Sequence, residues 1–299
     1  MIRHKSKNWL LLLGIITALL FVLLYNFVGS EHPYKGSRNY SDVPLKVMLF
    51  LTLLFAPLFE EIAFRGFFTG KKWIKIAAII FLPIFVLTVN ASMEWFVIVL
   101  SMLFIAAYLL SLKYENKILG NISILLNILL FTAIHYTLED FYSPDYFFTP
   151  LAQLSIGCFL IWITINFNLL KAMLFHFLWN AGIMLFLIYS LQFPDTETKI
   201  FSNETFQIEW VKVPVFNNEN AQVNISEGFI EGTNIEARKF HFIVSTIKTK
   251  DKIMQYEPYV IYNFSVQSLD TLTSLEDLKE ETLKFLENQE LVFKKEKEI

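Results

Sequence analysis

Residues 45–68 read LKVMLFLTLLFAPLFEEIAFRGFF. The stretch is apolar and long enough to cross a bilayer, yet it carries Glu60, Glu61 and Arg65. A hydrocarbon core of about 30 Å takes roughly 20 apolar residues in helical form. Ionisable groups at that depth are costly, mark function by default and need named partners. Spacing separates the three. Glu61 and Arg65 are four apart, on one helical face and in the favourable acid-before-base order. Glu60 points about 100° away and has no base within its own helix. The partners of Glu60 therefore have to come from elsewhere in the chain.

The composition fits a membrane setting. Of the 299 residues, 55% are hydrophobic and only 18% charged, with 31 Phe; a soluble domain is about 45–50% apolar. Charge is split along the chain. Residues 1–194 carry a net +4 and residues 195–299 a net −7. The expected architecture is an all-α polytopic bundle over 1–193, followed by a soluble α+β tail at 194–299. Cys158 is the only cysteine, which rules out internal disulfides and cysteine metal cages. No basic stripe is present, so a nucleic-acid partner is not expected.

Apolar runs near 20 residues occur at about 9–28, 44–69, 74–90, 95–112, 118–137, 148–168 and 172–191, giving seven expected spans. The first follows Arg3, Lys5 and Lys7 but exceeds a signal-peptide core, so it reads as a retained span. Nine cations (Arg3, Lys5, Lys7, Lys71, Lys72, Lys75, Lys113, Lys117, Lys171) fall on one side, against Lys35, Arg38 and Lys46 on the other. The positive-inside rule then puts the N-terminus in the cytoplasm. Glu94, Glu139, Asp140 and Asp145 read as loop charges, Asn121 and Asn127 as packing contacts, and Trp9, Trp73 and Trp95 as interface anchors. The Ile, Lys, Phe and Asn bias points to a bacterial plasma membrane. In the tail, strands are expected at 206–213, 240–247 and 259–266. Ser274 caps an expected helix running to about Lys297. His241 reads as structural or solvent-exposed. The tail shows no catalytic motif and is left as a module for an unknown partner.

Six polar side chains stand out within the apolar runs: Glu60, Glu61, Arg65, His135, His176 and Asn180. His176 and Asn180 are four apart, on one face. A lone buried histidine is more often a satisfied core side chain than a catalyst, and a lone Asn can be helix–helix glue. All six together in such apolar helices fit a site better. A carboxylate and an imidazole can hold and deprotonate water, while a second imidazole and an amide can donate to an oxyanion. One Glu and two His also make a catalytic zinc set (Glu60, His135, His176) with water as fourth ligand. The residue types leave both versions open.

The motifs Glu60-Glu61-Ile62-Ala63-Phe64-Arg65 (EExxxR), Phe131-Thr132-Ala133-Ile134-His135 (FxxxH) and His176-Phe177-Leu178-Trp179-Asn180 (HxxxN) occur in order, each in an apolar helix. Over about 43–191 the chain resembles the CPBP family, the CAAX protease and bacteriocin-processing (Abi) intramembrane proteases related to the type II CAAX prenyl endopeptidases. The resemblance implies that Glu60 and His135 activate water, that His176 and Asn180 are the oxyanion donors, and that Glu61 and Arg65 shape the site. It also implies an intramembrane endopeptidase acting on a membrane-associated peptide. No cofactor is favoured and Zn2+ is the alternative, because Asn180 suits an oxyanion and is a poor zinc ligand. The chain departs from the family pattern in having an extra hairpin at about 74–112 and an acidic tail. A proton- or ion-coupled transporter and a non-catalytic scaffold are the rival readings.

Depth supplies a test. At about 1.5 Å per residue, Glu60 lies about 24 Å from Pro44 and His176 about 7 Å from Lys171, both toward the cytoplasm. His135 lies about 27 Å from Lys117, toward the other side, or about 18 Å if its helix starts near Ser123. The reading requires His135 to come within about 12 Å of Glu60 or His176, a threshold well beyond any direct contact or single-water bridge.

Overall fold

The computed structural model describes residues 7–28, 43–89, 95–136, 141–142, 147–217, 219–245, 252–270 and 273–295. Arg3, Lys5, Lys35, Arg38, Glu94, Glu139, Asp140, Asp145 and Lys297 lie outside the described residues. Two compact units divide the chain, one within Met1–Arg38 and Leu49–Ala181, the other within Asn39–Met48 and Gly182–Ile299.

A helix stands at each of the seven apolar runs: α1 Asn8–Val28, α2 Leu45–Phe68, α3 Lys72–Val89, α4 Trp95–Tyr114, α5 Lys117–Ala133, α6 Pro150–Asn166 and α7 Leu169–Gln192. Four of them (α1, α2, α4 and α7) are long and apolar enough to cross a membrane. α5 and α6, at 17 residues each, reach only about 25 Å, short of a full core thickness. α3 carries Lys72 and Lys75 in its first turn and Pro83 inside. The helical expectation therefore holds, while among the described residues four helices rather than seven meet the length and composition of a crossing. Leu12, Phe27, Leu54, Trp73, Leu87 and Met102 are exposed, apolar surface suited to lipid rather than water. Trp73 and Trp95 are exposed near helix ends, as interface anchors require.

α2 is not a uniform α-helix. π-helical turns occupy Leu51–Phe55 and Glu61–Arg65, and a 3-10 turn at Gly66–Phe68 ends it. Pro57 lacks the N–H that would bond the carbonyl four residues back, and its ring crowds that carbonyl. The preceding turn widens, and the Ala56 N–H bonds Leu51 O instead of Thr52 O. Carbonyls released in apolar surroundings need other donors. Thr52 O receives Asn180 Nδ2 at 2.9 Å, Phe64 O receives Asn127 Nδ2 at 2.9 Å, and Phe67 O receives the Tyr108 hydroxyl at 3.2 Å. Around them the core is aromatic. Phe64 meets Phe131 at 5.4 Å, and Phe67 meets Phe104 at 4.9 Å and Tyr108 at 5.0 Å, all edge-on, the favoured ring geometry.

The tail is α+β. Strands β1 Lys199–Ser202, β2 Phe206–Val213, β3 Gln222–Ser226, β4 Phe229–Ile235, β5 Lys252–Gln255, β6 Ile261–Ser268 and β7 Val292–Lys295 flank helices α8 Ala237–Val244 and α9 Leu275–Asn288. Five strands form an antiparallel sheet in the order β1-β2-β6-β4-β3, and β5 pairs with β7. β2 and β6 fall near the expected strands, and Ser274 Oγ accepts the Asp277 N–H as an N-cap.

Two tail expectations are corrected. Residues 237–244 form a helix rather than the strand expected at 240–247. Ala237, Phe240, His241 and Val244 are the buried positions, a 3–4 period that mixed aromatic and β-branched composition disguises. The last helix stops at Asn288, where Glu290 adopts φ 53° and leads into β7. His241 is buried, 3.8 Å from Glu287 Oε1. Phe240 stacks on Phe264 at 4.5 Å; a Cβ on Gly232 would sit 2.7 Å from the Phe240 ring, so this strand position has to be glycine.

Gly66 holds α2 against α3. A Cβ there would fall 2.9 Å from Ala78 Cβ and 3.2 Å from Ile74 O. Gly66→Val is expected to destabilise the helical unit by about 1–3 kcal/mol, the usual cost of overpacking, seen as a lower melting temperature in detergent. Gly120→Val, with open space at its Cβ, is the control that should melt close to the unmodified protein.

Candidate active site

The charged end of α2 is buried almost completely. Glu61 and Arg65 have no exposed surface and Glu60 is 7% exposed. Glu61 Oε1 lies 3.3 Å from Arg65 Nη1 and 3.0 Å from His176 Nδ1. One carboxylate thus serves a cation of its own helix and an imidazole of α7. The Arg65 guanidinium also lies 3.8 Å over the Phe131 ring, a cation–π contact that is strongest when desolvated. Among the described residues its three nitrogens have no well-aligned hydrogen-bond acceptor, so Glu61 and the ring face carry its stabilisation.

His135 and His176 flank Glu60. Each Nε2 is 3.9 Å from Glu60 Oε2. The tautomers follow from the other ring edges. His135 Nδ1 is 2.7 Å from Phe131 O, an atom that only accepts, so Nδ1 carries the proton. His176 Nδ1 faces the Glu61 carboxylate and donates to it. Both rings thus turn Nε2 toward the Glu60 carboxylate. A water between them can donate one hydrogen to Glu60 Oε2 and the other to an imidazole Nε2. The same donor types make up a zinc set, but the 3.9 Å separations exceed the roughly 3.3 Å edge of a tetrahedron with bonds of 2.0–2.1 Å. Among the described residues no three His, Cys, Asp or Glu are arranged to hold an ion. As placed, the three side chains do not fit zinc.

The depth conflict is resolved by the register of α5. Asn127 meets Phe64, Phe131 meets Arg65 and His135 meets Glu60, so α5 runs antiparallel to the end of α2. Lys117 is ten residues before Asn127, about 15 Å along the axis, whereas α2 ends four residues after Phe64, about 6 Å. α5 does begin at Lys117 and not near Ser123; its start projects beyond the end of α2. A count that takes Lys117 as level with the other helix ends overstates the separation by that overhang.

The structure thus brings together Glu60, Glu61, Arg65, His135 and His176. Asn180, one turn along α7 from His176, anchors its amide on Thr52 O. Sequence reasoning passed over Gln153, whose amide nitrogen is 3.2 Å from His135 Nε2 and 3.3 Å from Nδ1. It gave Asn127 a packing role, whereas the side chain satisfies a carbonyl released next to Arg65. Both are amides in apolar helices, and an inventory of every buried amide would have found them.

Residues 42–182 match the model of the Rce1-like family, described as type II CAAX prenyl endopeptidase Rce1-like. Over these residues, just under half of the chain, it is similar to the CAAX protease family. The matched segment holds all three motifs and every residue of the cluster, including Gln153. A CAAX-type protease is a hydrolase of the membrane, in keeping with the apolar helices that surround the cluster. Neither a curated protein nor a solved structure gives a match.

Removing one member of a buried charge pair strands the other. Arg65→Met should cost about 3–5 kcal/mol, measured by denaturation in detergent. Arg65→Lys should recover only part of that, because a compact ammonium cannot stack on Phe131 as the planar guanidinium does. A Glu61→Gln/Arg65→Met double variant should lose less than the sum of the single changes.

Proposed function

We propose that the protein is an intramembrane endopeptidase that hydrolyses a peptide bond of a membrane-associated substrate by a metal-free mechanism. The observation that carries this reading is the meeting of Glu60 with His135 and His176 from three different helical regions, each at 3.9 Å. A water between Glu60 Oε2 and His135 Nε2 loses a proton to this pair as its oxygen attacks the scissile carbonyl carbon. The carbonyl π electrons move onto oxygen, and the oxyanion is received by His176 and Asn180. Collapse of the tetrahedral intermediate breaks the C–N bond, and the proton held by the base passes to the leaving amine.

The surroundings define what the oxyanion donors require. His176 gives its Nδ1 proton to Glu61, so Nε2 donates only when the ring is an imidazolium, with Glu61 as counter-ion. Asn180 has two amide hydrogens; Thr52 O takes one and leaves one for substrate. Arg65 in turn fixes Glu61. The family description names a prenyl endopeptidase, so a peptide with a lipidated C-terminus, presented in a bilayer, is the first substrate to supply.

With purified protein in lipid vesicles and a fluorogenic membrane-anchored peptide, Glu60→Ala and His135→Ala should abolish cleavage. Asn180→Ala should lower kcat by about 10²–10³, the size of one lost oxyanion donor. Full activity in folded Glu60→Ala overturns the water-activation role. A metal chelator should leave the rate unchanged; loss reversed by added zinc would replace the metal-free mechanism with the zinc version. Glu60-dependent proton flux without cleavage would favour the transporter.

A further inference from the structure

We propose that the tail binds an extended peptide along β3. The peptide adds a strand to the sheet edge and sets an apolar side chain into the cavity between β3 and α8. The five-stranded sheet ends at β3. In the order β1-β2-β6-β4-β3, β3 pairs with β4 on one side and, among the described residues, with no strand on the other. Glu227 and Gly228 join β3 to β4. A two-residue loop closes on a hydrogen-bonded pair, here Ser226 with Phe229, and the pairs beyond it alternate. Ile225 opposite Ile230 and Val223 opposite Gly232 are then the pairs without mutual bonds. The N–H and C=O groups of Val223 and Ile225 therefore face away from β4, and these are the groups that an added strand uses.

Sheet edges are usually blunted by charged residues, proline or a bulge. β3 reads Gln222-Val223-Asn224-Ile225-Ser226 and pairs with β4 in unbroken register, so it has none of these. Residues opposite each other share a face of the sheet. Val223 and Ile225 thus project on the face where a Cβ at Gly232 would meet the Phe240 ring of α8. On this side a cavity of about 550 Å³ is lined by Val223, Ile235, Ile243 and Ile253, a size typical of ligand sites, roughly 300–1,000 Å³. Phe242 and Ile243 of α8 also line it and are exposed, as is Ile225. Unpaired backbone groups beside an apolar cavity suit a strand with apolar side chains at alternate positions. Charge adds a further preference. Arg238 and Lys239 line the cavity, and among the described residues no carboxylate does. The two cations share Glu236, at 3.5 and 2.9 Å, so an acidic residue beside the apolar ones is favoured in the peptide.

The test pans a displayed library of random short peptides on the full-length protein in lipid nanodiscs, and measures Kd of the enriched peptides by fluorescence anisotropy. Peptides with apolar residues at alternate positions and an acidic residue beside them should be enriched. Ile225→Pro removes an outward N–H and leaves the bonds to β4, as proline on an edge strand allows. It should weaken binding about tenfold, the scale of one lost hydrogen bond. Ala221→Trp, at the cavity wall, should fill the cavity and weaken binding at least as much. Asn224→Ala, changed on the opposite face, should bind as the unmodified protein does. Methylating alternate backbone nitrogens of the peptide tests the pairing without altering the protein: one set of positions should abolish binding and the other should not. A library that enriches no such peptide overturns the proposal. So do enriched peptides that bind both variants at full strength, or that tolerate methylation at either set. A dimer that Ile225→Pro converts to a monomer would assign the edge to a second copy of the chain and overturn the peptide reading as well.

Discussion

One carboxylate holds the site together. Glu61 is fully buried and stands between Arg65 and His176. A lone ionised group in such surroundings would be prohibitively expensive, so the three side chains exist there only as a set. The set couples the end of α2 to α7, while the Phe131 ring under the guanidinium couples both to α5. Glu60 is adjacent in sequence but turned away from this arrangement. It faces His135 and His176, while its neighbour carries the structural load.

The irregular path of α2 is the second requirement. A straight α-helix satisfies its own carbonyls and offers none to neighbours. Pro57 and the π turns give up that self-sufficiency at Thr52 and Phe64, and Asn180 and Asn127 restore it from other helices. π turns concentrate at functional sites in general. Here they do two things: they set the directions of Glu60, Glu61 and Arg65, and they supply the backbone acceptor that orients Asn180. The short α5 ends where its last turn can place His135 against Glu60.

Much of this was legible in the residues. Apolar run length located seven helices, and the four-residue spacing of Glu61 and Arg65 named a pair that forms. Charges and histidines are rare in apolar helices, so each one was conspicuous. Two of the amides were not. Gln153 is uncharged and was passed over, and Asn127 was read only as a packing contact, because an amide carries no charge to make its burial conspicuous. In the tail, residues 237–244 misled because Phe, Ile and Val favour strands, while the helical burial period becomes visible only once the buried face is known.

The sequence by itself determined the membrane class, the helix positions and the rare polar residues inside the apolar runs, because run length and the cost of buried charge are local properties of the chain. It also carried the three motifs of the CAAX proteases in order. Only the tertiary structure decided how many helices reach crossing length, that α5 is offset so that His135 meets Glu60, and which nitrogen of each imidazole bears a proton. Those depend on the register between helices and on what lies on the far edge of each ring. Both are set by packing across residues distant in the chain, which no local pattern encodes.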